Sequence, residues 1–291
     1  MTTILITGTN RGIGLEMANQ ALAKGWTVYG SARAPVTDPD AHICHHPNFH
    51  DLQFDVTDHA AVRAAAAGID APIDILINNA GIMACPLARV GPGWESQFGI
   101  NHLGHMAMSL ALAPAMQRTD GARLVALSST GHIRSGIKWD DPNYTERAYD
   151  KWEAYGQAKT ADALFALGVD RRGRDVGIRA FSVHPGGIFT PLQRHLPEEE
   201  MVALGWKAPD GTIPPMVQAM FKTPEQGAST TVWCATSPQL ADRGGVYCED
   251  CDIAQLATDE SQRWEHVRTW ACDDEGAERL WSLSEKMLAD A

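Results

Sequence analysis

Tyr155-Gly-Gln-Ala-Lys159 sets a phenol and an ammonium four residues apart. On a helix that spacing puts both on one face, one turn apart. Interconverting a carbonyl and an alcohol needs a group that gives a proton to the oxygen in one direction and takes it back in the other. A free tyrosine, with a pKa of about 10, is a poor base at neutral pH. A nearby ammonium favours the phenolate. The bare pair also arises by chance, so its weight depends on what surrounds it. Leu127-Ser128-Ser129-Thr130-Gly131 closes a strand-like run. A hydroxyl there can hold a substrate oxygen as charge develops on it, and either serine is a candidate.

A second set of residues suits a nucleotide. Thr7-Gly8-Thr9-Asn10-Arg11-Gly12-Ile13-Gly14 follows one strand and opens a helix. Its glycines permit a tight turn and close backbone approach to a pyrophosphate, and the helix start offers free N–H groups and positive potential. The spacing is G-x-x-x-G-x-G, not the commoner dinucleotide G-x-G-x-x-G. Asn78-Asn79-Ala80-Gly81 ends the fourth strand, where such sheets form ligand crevices. The second strand runs into Gly30-Ser31-Ala32-Arg33. A cofactor with a free ribose 2′-hydroxyl usually meets an acid there, and Ala32 stands in its place. Arg33 could pair with a 2′-phosphate, and Arg11 could add a second positive contact. The missing acid and the two arginines favour NADP(H) over NAD(H), although two arginines facing water would look the same in the sequence.

Taken in order, Thr7 to Gly14, Asn78 to Gly81, Asn101, Ser129, Tyr155 with Lys159, and Pro185-Gly186 with Thr190 match one pattern. Over residues 3–192 the chain resembles the short-chain dehydrogenase/reductase family. Asn101-His-Leu-Gly-His105 and Gly244-Gly-Val-Tyr-Cys-Glu-Asp-Cys251 resemble its retinol-dehydrogenase-like branch. The resemblance implies a catalytic set of Asn101, Ser129, Tyr155 and Lys159. Ser129 is preferred to Ser128 because the family's active serine is the second of such a pair. Asn101 would help keep a water that relays protons to Lys159. Implied cofactor contacts are Gly8, Asn10, Arg11, Gly12, Ile13, Gly14 and Arg33, then Asp55-Val56 at the adenine. Asn79, Ala80, Gly81, Tyr155 and Lys159 continue the set. Pro185, Gly186, Ile188 and Thr190 complete it at the nicotinamide carboxamide. Helices around 95–116 and 155–171 would make a homodimer or homotetramer. The expected reaction is hydride transfer between NADP(H) and a carbonyl or alcohol on a fairly apolar small molecule. Alternatives are an NAD(H)-linked dehydrogenase or epimerase, or a nucleotide-bound sensor without turnover.

These residues need a frame. Apolar runs at Thr3–Thr7, Trp26–Gly30, Phe49–Asp55, Ile73–Ile77, Arg123–Ser128 and Ile178–His184 predict strands. Gly12–Lys24, Asp58–Ala67 and Tyr155–Arg171 predict helices between them, and Thr223-Pro-Glu-Gln226 opens another with a capping box. Alternation of this kind predicts one doubly wound parallel sheet of the Rossmann type over residues 1–291, with helices on both faces. Residues 130–154 read as a loop-rich insertion. Residues 187–222 are proline-rich yet apolar and read as a lid over the substrate, or else as a helical cap packed permanently on the core. Residues 246–291 form a C-terminal segment.

A charge of −12 over 291 residues argues against non-specific binding to nucleic acid or anionic lipid. Six cysteines are too few for a disulfide scaffold, which makes a reducing cytoplasm the expected setting. A first strand at Thr3 leaves no room for a signal peptide, and the apolar stretch around Met106 to Met116 is too short to span a bilayer. His42, Cys44, His45, His46 and His50 fit no zinc spacing, and Cys248-Glu-Asp-Cys251 lacks a second pair, so no metal is expected. Arg171, Arg172 and Arg174 read as a solvated helix end, and Trp264, Trp270 and Trp281 as core or interface aromatics.

Overall fold

The computed structural model describes residues 1–35, 42–118, 121–262 and 264–291. Its strands are β1 Thr3–Thr7, β2 Thr27–Ala32, β3 Phe49–Gln53, β4 Ile75–Asn78, β5 Arg89–Val90, β6 Trp94–Glu95, β7 Ala122–Leu127, β8 Ile178–His184, β9 Val246–Glu249 and β10 Asp252–Ile253. Eight of them form one sheet in the order β10-β9-β8-β7-β4-β1-β2-β3. Every pairing in it is parallel except the β9–β10 hairpin. The chain runs outward from β1 to β3 and then returns to β4 on the other side of β1. That reversal opens a crevice at the carboxyl ends of β1 and β4, where a doubly wound sheet binds its ligand.

The helices are α1 Gly12–Ala23, α2 His59–Ala67, α3 Ser96–Phe98, α4 Gly104–Met116, α5 Lys151–Gly173, α6 Glu198–Ala203, α7 Pro215–Met220, α8 Pro224–Thr236 and α9 Asp274–Ala289. Strand alternation divides the core between two faces. Leu5, Leu76 and Leu124 point to one face and pack with Phe98, Met106 and Phe165. Ile4, Ile6, Ile75, Ile77 and Phe181 point to the other and pack with Met17 of α1 and Ala228 of α8. No described helix is long and apolar enough to cross a membrane.

Several boundaries depart from the sequence reading. The helix carrying Tyr155 begins four residues earlier, because the Asp150 carboxylate caps it by accepting from the N–H groups of Trp152 and Glu153. Residues 187–222 are not irregular throughout. Thr190 and Gln193 form a capping box at a turn of 3₁₀ helix, Pro191–His195, and α6 and α7 follow. Arg171 and Arg172 are more than a solvated helix end: they pair with Asp274 and Glu278 and clamp α9 to α5. Trp281 of α9 stacks on Phe165 at 6.0 Å. The Thr223 capping box forms as the sequence predicts.

Candidate active site

The glycine loop is braced from beneath. Gly8 and Gly12 hold left-handed φ values of 77° and 59°, which explains glycine at both. A Cβ on Gly14 would lie 2.1 Å from the Gly8 carbonyl oxygen, so the loop can close on α1 only without one. Asn79 Nδ2 donates to the Thr7 carbonyl at 2.7 Å, and the Asn79 and Ala80 N–H groups donate to Thr7 Oγ1 at 2.8 and 2.9 Å. The ends of β1 and β4 are thereby locked together. At the start of α1, Arg11 is the cap residue and makes no side-chain bond to the first turn.

Behind this loop runs a buried chain of hydrogen bonds. Burial holds the His105 pKa down to about 4, so its ring is neutral at neutral pH. Its Nδ1 lies 2.7 Å from the Asn101 carbonyl, which can only accept, so Nδ1 carries the hydrogen. Its Nε2 then accepts from the Thr7 hydroxyl at 2.9 Å. Asn101 lies in a π-helical turn, Gly99–Leu103, and its side chain both accepts from and donates to the Ile82 backbone at 2.9 Å. It is fully buried behind Gly81, and the cavity wall at this point is Ile100. The structure thus gives Asn101 a positioning contact with the segment that follows β4.

A cavity of about 470 Å³ opens above the carboxyl ends of β1 and β4. Gly8, Asn10, Arg11, Gly12, Ile13 and Gly14 line one side, with Arg33, Asp55, Val56, Asn79, Ala80 and Gly81 beyond them. Ser129, Tyr155, Lys159, Pro185, Gly186, Ile188 and Thr190 line the other. Apart from Asn101, every residue expected from the sequence to contact cofactor or substrate therefore faces one space. Ser128 and Ser129 separate by their bonds. The Ser128 hydroxyl donates to the Lys159 carbonyl at 2.7 Å. Ser129 Oγ accepts from the Gly131 N–H at 3.0 Å and keeps its own hydrogen for another acceptor.

Tyr155 packs edge-on to the Gly131 backbone, where a Cβ would come within 2.6 Å of its ring. Lys159 Nζ is 5.8 Å from the ring centroid and donates to the Leu127 carbonyl and to Asp162 Oδ2, each at 2.8 Å. Burial works against its ammonium, but Asp162 and Tyr155 outweigh that, and its pKa lies above the ordinary lysine value. His132 supports the Ser129 turn from behind. Its Nδ1 donates to the Ser129 carbonyl at 2.7 Å, and its Nε2 accepts from the Arg268 N–H at 3.1 Å.

Arg194 and Glu200 were hidden in the sequence, whereas a cover from residues 187–222 was expected. Arg194, from the turn after Thr190, lines the cavity with Arg11 and Arg33. Burial lowers its pKa, and the charges of Arg11 and Arg33 lower it further. Trp206 and Phe221 of the proline-rich segment roof the cavity, in edge contact at 5.8 Å. Glu200 of α6 fastens that roof to α5 through Lys151 Nζ and through Trp152 Nε1 at 2.7 Å. Among the described residues no three His, Cys, Asp or Glu side chains are grouped to hold a metal. Cys248 is buried, and Cys251 is an exposed free thiol in the β9–β10 turn.

The cradle suits a dinucleotide. Its loop backbone can approach a pyrophosphate, its arginines can meet phosphate, and a phenol and a hydroxyl stand across from it for proton exchange.

The model of the short chain dehydrogenase family matches residues 2–201. A protein named "Probable oxidoreductase" from Streptomyces lividans is 38% identical over 290 residues, covering 98% of this chain and 97% of that one. Retinol dehydrogenase 12 of Mus musculus is 31% identical over 98% of this chain and 85% of its own length. Among solved structures, an uncharacterized protein from Mycobacterium paratuberculosis superposes with a TM-score of 0.73 at 29% identity, covering 98% of this chain and 92% of that one. An NADPH-bound carbonyl reductase from chicken fatty liver has the same fold, with a TM-score of 0.64 at 20% identity over 87% of this chain and 98% of that one. With that match spanning most of the doubly wound sheet, the chain belongs to the short-chain dehydrogenase/reductase family of oxidoreductases.

Proposed function

We propose that this oxidoreductase uses NADP(H) to interconvert an alcohol and a carbonyl on a fairly apolar small molecule. The observation that carries the reading is the convergence on one cavity of the glycine loop, Arg33, Ser129, Tyr155 and Lys159. The cofactor, when bound, supplies the hydride acceptor or donor. The loop backbone would hold its pyrophosphate, and Arg11 would add a second positive contact beside Arg33. Arg33 reaches the 2′-phosphate from the end of β2, where Ser31, Ala32 and Ala34 line the cavity without an acid. Arg33 already leans on Asp55 at 3.7 Å, but both side chains are substantially exposed, so the pair is weak and can yield to phosphate.

Ser129 donates to the substrate oxygen and fixes it beside Tyr155. In oxidation Tyr155, as phenolate, takes the hydroxyl proton; in reduction its phenol returns that proton to the carbonyl oxygen. Lys159 stabilises the phenolate by charge. Met83, Leu192, Trp206 and Phe221 make the substrate end apolar, which favours apolar carbonyls and alcohols. The test is cofactor oxidation over a panel of carbonyls with NADPH and NADH in parallel. Tighter binding of NADPH with turnover of apolar carbonyls supports the reading. NADH bound at least as tightly refutes the cofactor assignment. The proposed setting is cytoplasmic, and the proposed assembly is a homodimer or homotetramer.

A further inference from the structure

The mechanism above leaves Asp162 unused. It lies three residues beyond Lys159 on α5, and its side chain is 5% exposed. Its Oδ2 receives the Lys159 ammonium at 2.8 Å. Lys159 lines the cavity while Asp162 stands behind it, away from cofactor and substrate. A second hydrogen of Nζ is taken by the Leu127 carbonyl, also at 2.8 Å. The ammonium has three hydrogens, so two are fixed and one remains for the cavity side. An anion directly behind a lysine does two things: it sets where the ammonium sits, and it offsets the charge that the lysine projects forward.

We propose that Asp162 is a positioning residue of the proton-transfer step, anchoring the Lys159 ammonium beneath Tyr155 and balancing its charge so as to set how strongly it favours the phenolate. The inference rests on Tyr155 being the proton-exchanging group. The surrounding groups leave the balance to these two side chains. His105 of α4 faces Lys159 but is held neutral by burial. Tyr247 of β9, beside Ser128, is buried and its pKa is pushed well up, so it brings no charge. Burial also pushes the Asp162 carboxyl up against the pull of Lys159, so the balance itself depends on pH in the native enzyme.

The test is D162N, which keeps an oxygen for the ammonium to bond but removes the charge, studied beside wild type, Y155F and D162E. Tyrosinate absorbance is titrated in the cofactor-free protein, and subtracting Y155F isolates Tyr155. In D162N that titration falls about one pH unit below wild type, a tenfold change, and the rising limb of alcohol oxidation moves with it. D162E retains the charge on a longer arm. It titrates near wild type while its kcat falls, because the ammonium is displaced. If D162N lacks a cooperative melting transition, D162A is titrated in its place with the same expected displacement. A folded D162N or D162A that titrates at the wild-type pH overturns the proposal. Normal turnover by Y155F would instead overturn the underlying assignment of Tyr155, so the two failures are distinct.

Discussion

Gly131→Ala puts the proposed catalytic geometry under direct strain. The new methyl would lie 2.6 Å from Tyr155 Cε1, 2.8 Å from Cδ1 and 3.4 Å from Ser129 Oγ. Carbon atoms pack at about 3.5–4.0 Å, so one partner must retreat by about 1 Å. The Gly131 backbone cannot do so freely, because its N–H is bonded to Ser129 Oγ. Whether the ring moves or the turn moves, the oxygens of Tyr155 and Ser129 shift relative to one another. A displacement of about 1 Å at a reacting centre costs on the order of 100-fold in kcat, or about 2.7 kcal/mol. Overpacking of this kind costs about 1–3 kcal/mol of stability, which lowers the Tm by several degrees at this chain length. The three atoms nearest the methyl belong to Tyr155 and Ser129 and none to the glycine loop, so NADPH affinity should be preserved. Gly68→Ala is the control, since its Cβ would meet nothing closer than 3.5 Å. Steady-state carbonyl reduction, NADPH fluorescence titration and thermal melting give the three readouts. A folded Gly131→Ala enzyme with wild-type kcat would refute the geometry.

Arg33→Ala should weaken NADPH binding far more than NADH binding, and adding Ala32→Asp should turn the preference toward NADH; equal losses for both nucleotides would remove Arg33 from the 2′-phosphate. Glu200→Gln should loosen the roof, so that amide hydrogens in residues 187–222 exchange faster than in wild type without cofactor; exchange as slow as the core strands in both proteins would mean a permanent cap. Trp206→Ala should raise KM for bulky substrates more than for small ones, and an equal rise would take Trp206 away from the substrate. Acid should destabilise the fold early. His105 and His132 are buried with pKa values lowered to about 4, so below pH ~6.5 the unfolded chain binds protons that the native state refuses. Stability then falls as pH drops from ~6.5 toward ~4, by up to about 1.4 kcal/mol per pH unit for each histidine. Urea midpoints across that range check it, and His132→Asn should flatten the slope.

Strands β1, β2, β4 and β7 were legible because they are short apolar runs with glycine, asparagine or serine at or next to their ends. Thr3–Thr7 and Ile178–His184 match the observed strands residue for residue. The start of α5 lies before Tyr155 because Asp150-Lys-Trp-Glu153 carries a capping signature that sets it at Lys151. The helices α6 and α7 hid behind prolines that sit at or just before their first turns. The loop motifs and the Tyr155–Lys159 pair could be read because they depend on local spacing. Asp162 could also have been read from its i, i+3 position, had burial been known. Arg194, His132 with Arg268, and Thr7 with His105 could not, because each partnership joins segments that meet only when the sheet is built. Asn101 shows the reverse. Its motif was plain in the sequence, but the side chain it carries braces the Ile82 backbone.

Tyr155→Phe tests the central claim most directly. It removes one hydroxyl and keeps the ring that packs against Gly131, so the fold and the nucleotide site should survive. Measured with saturating NADPH and an apolar carbonyl across the pH range, the variant should bind NADPH like wild type and lose turnover by at least about 100-fold. Wild-type turnover in Tyr155→Phe at every pH would contradict the account.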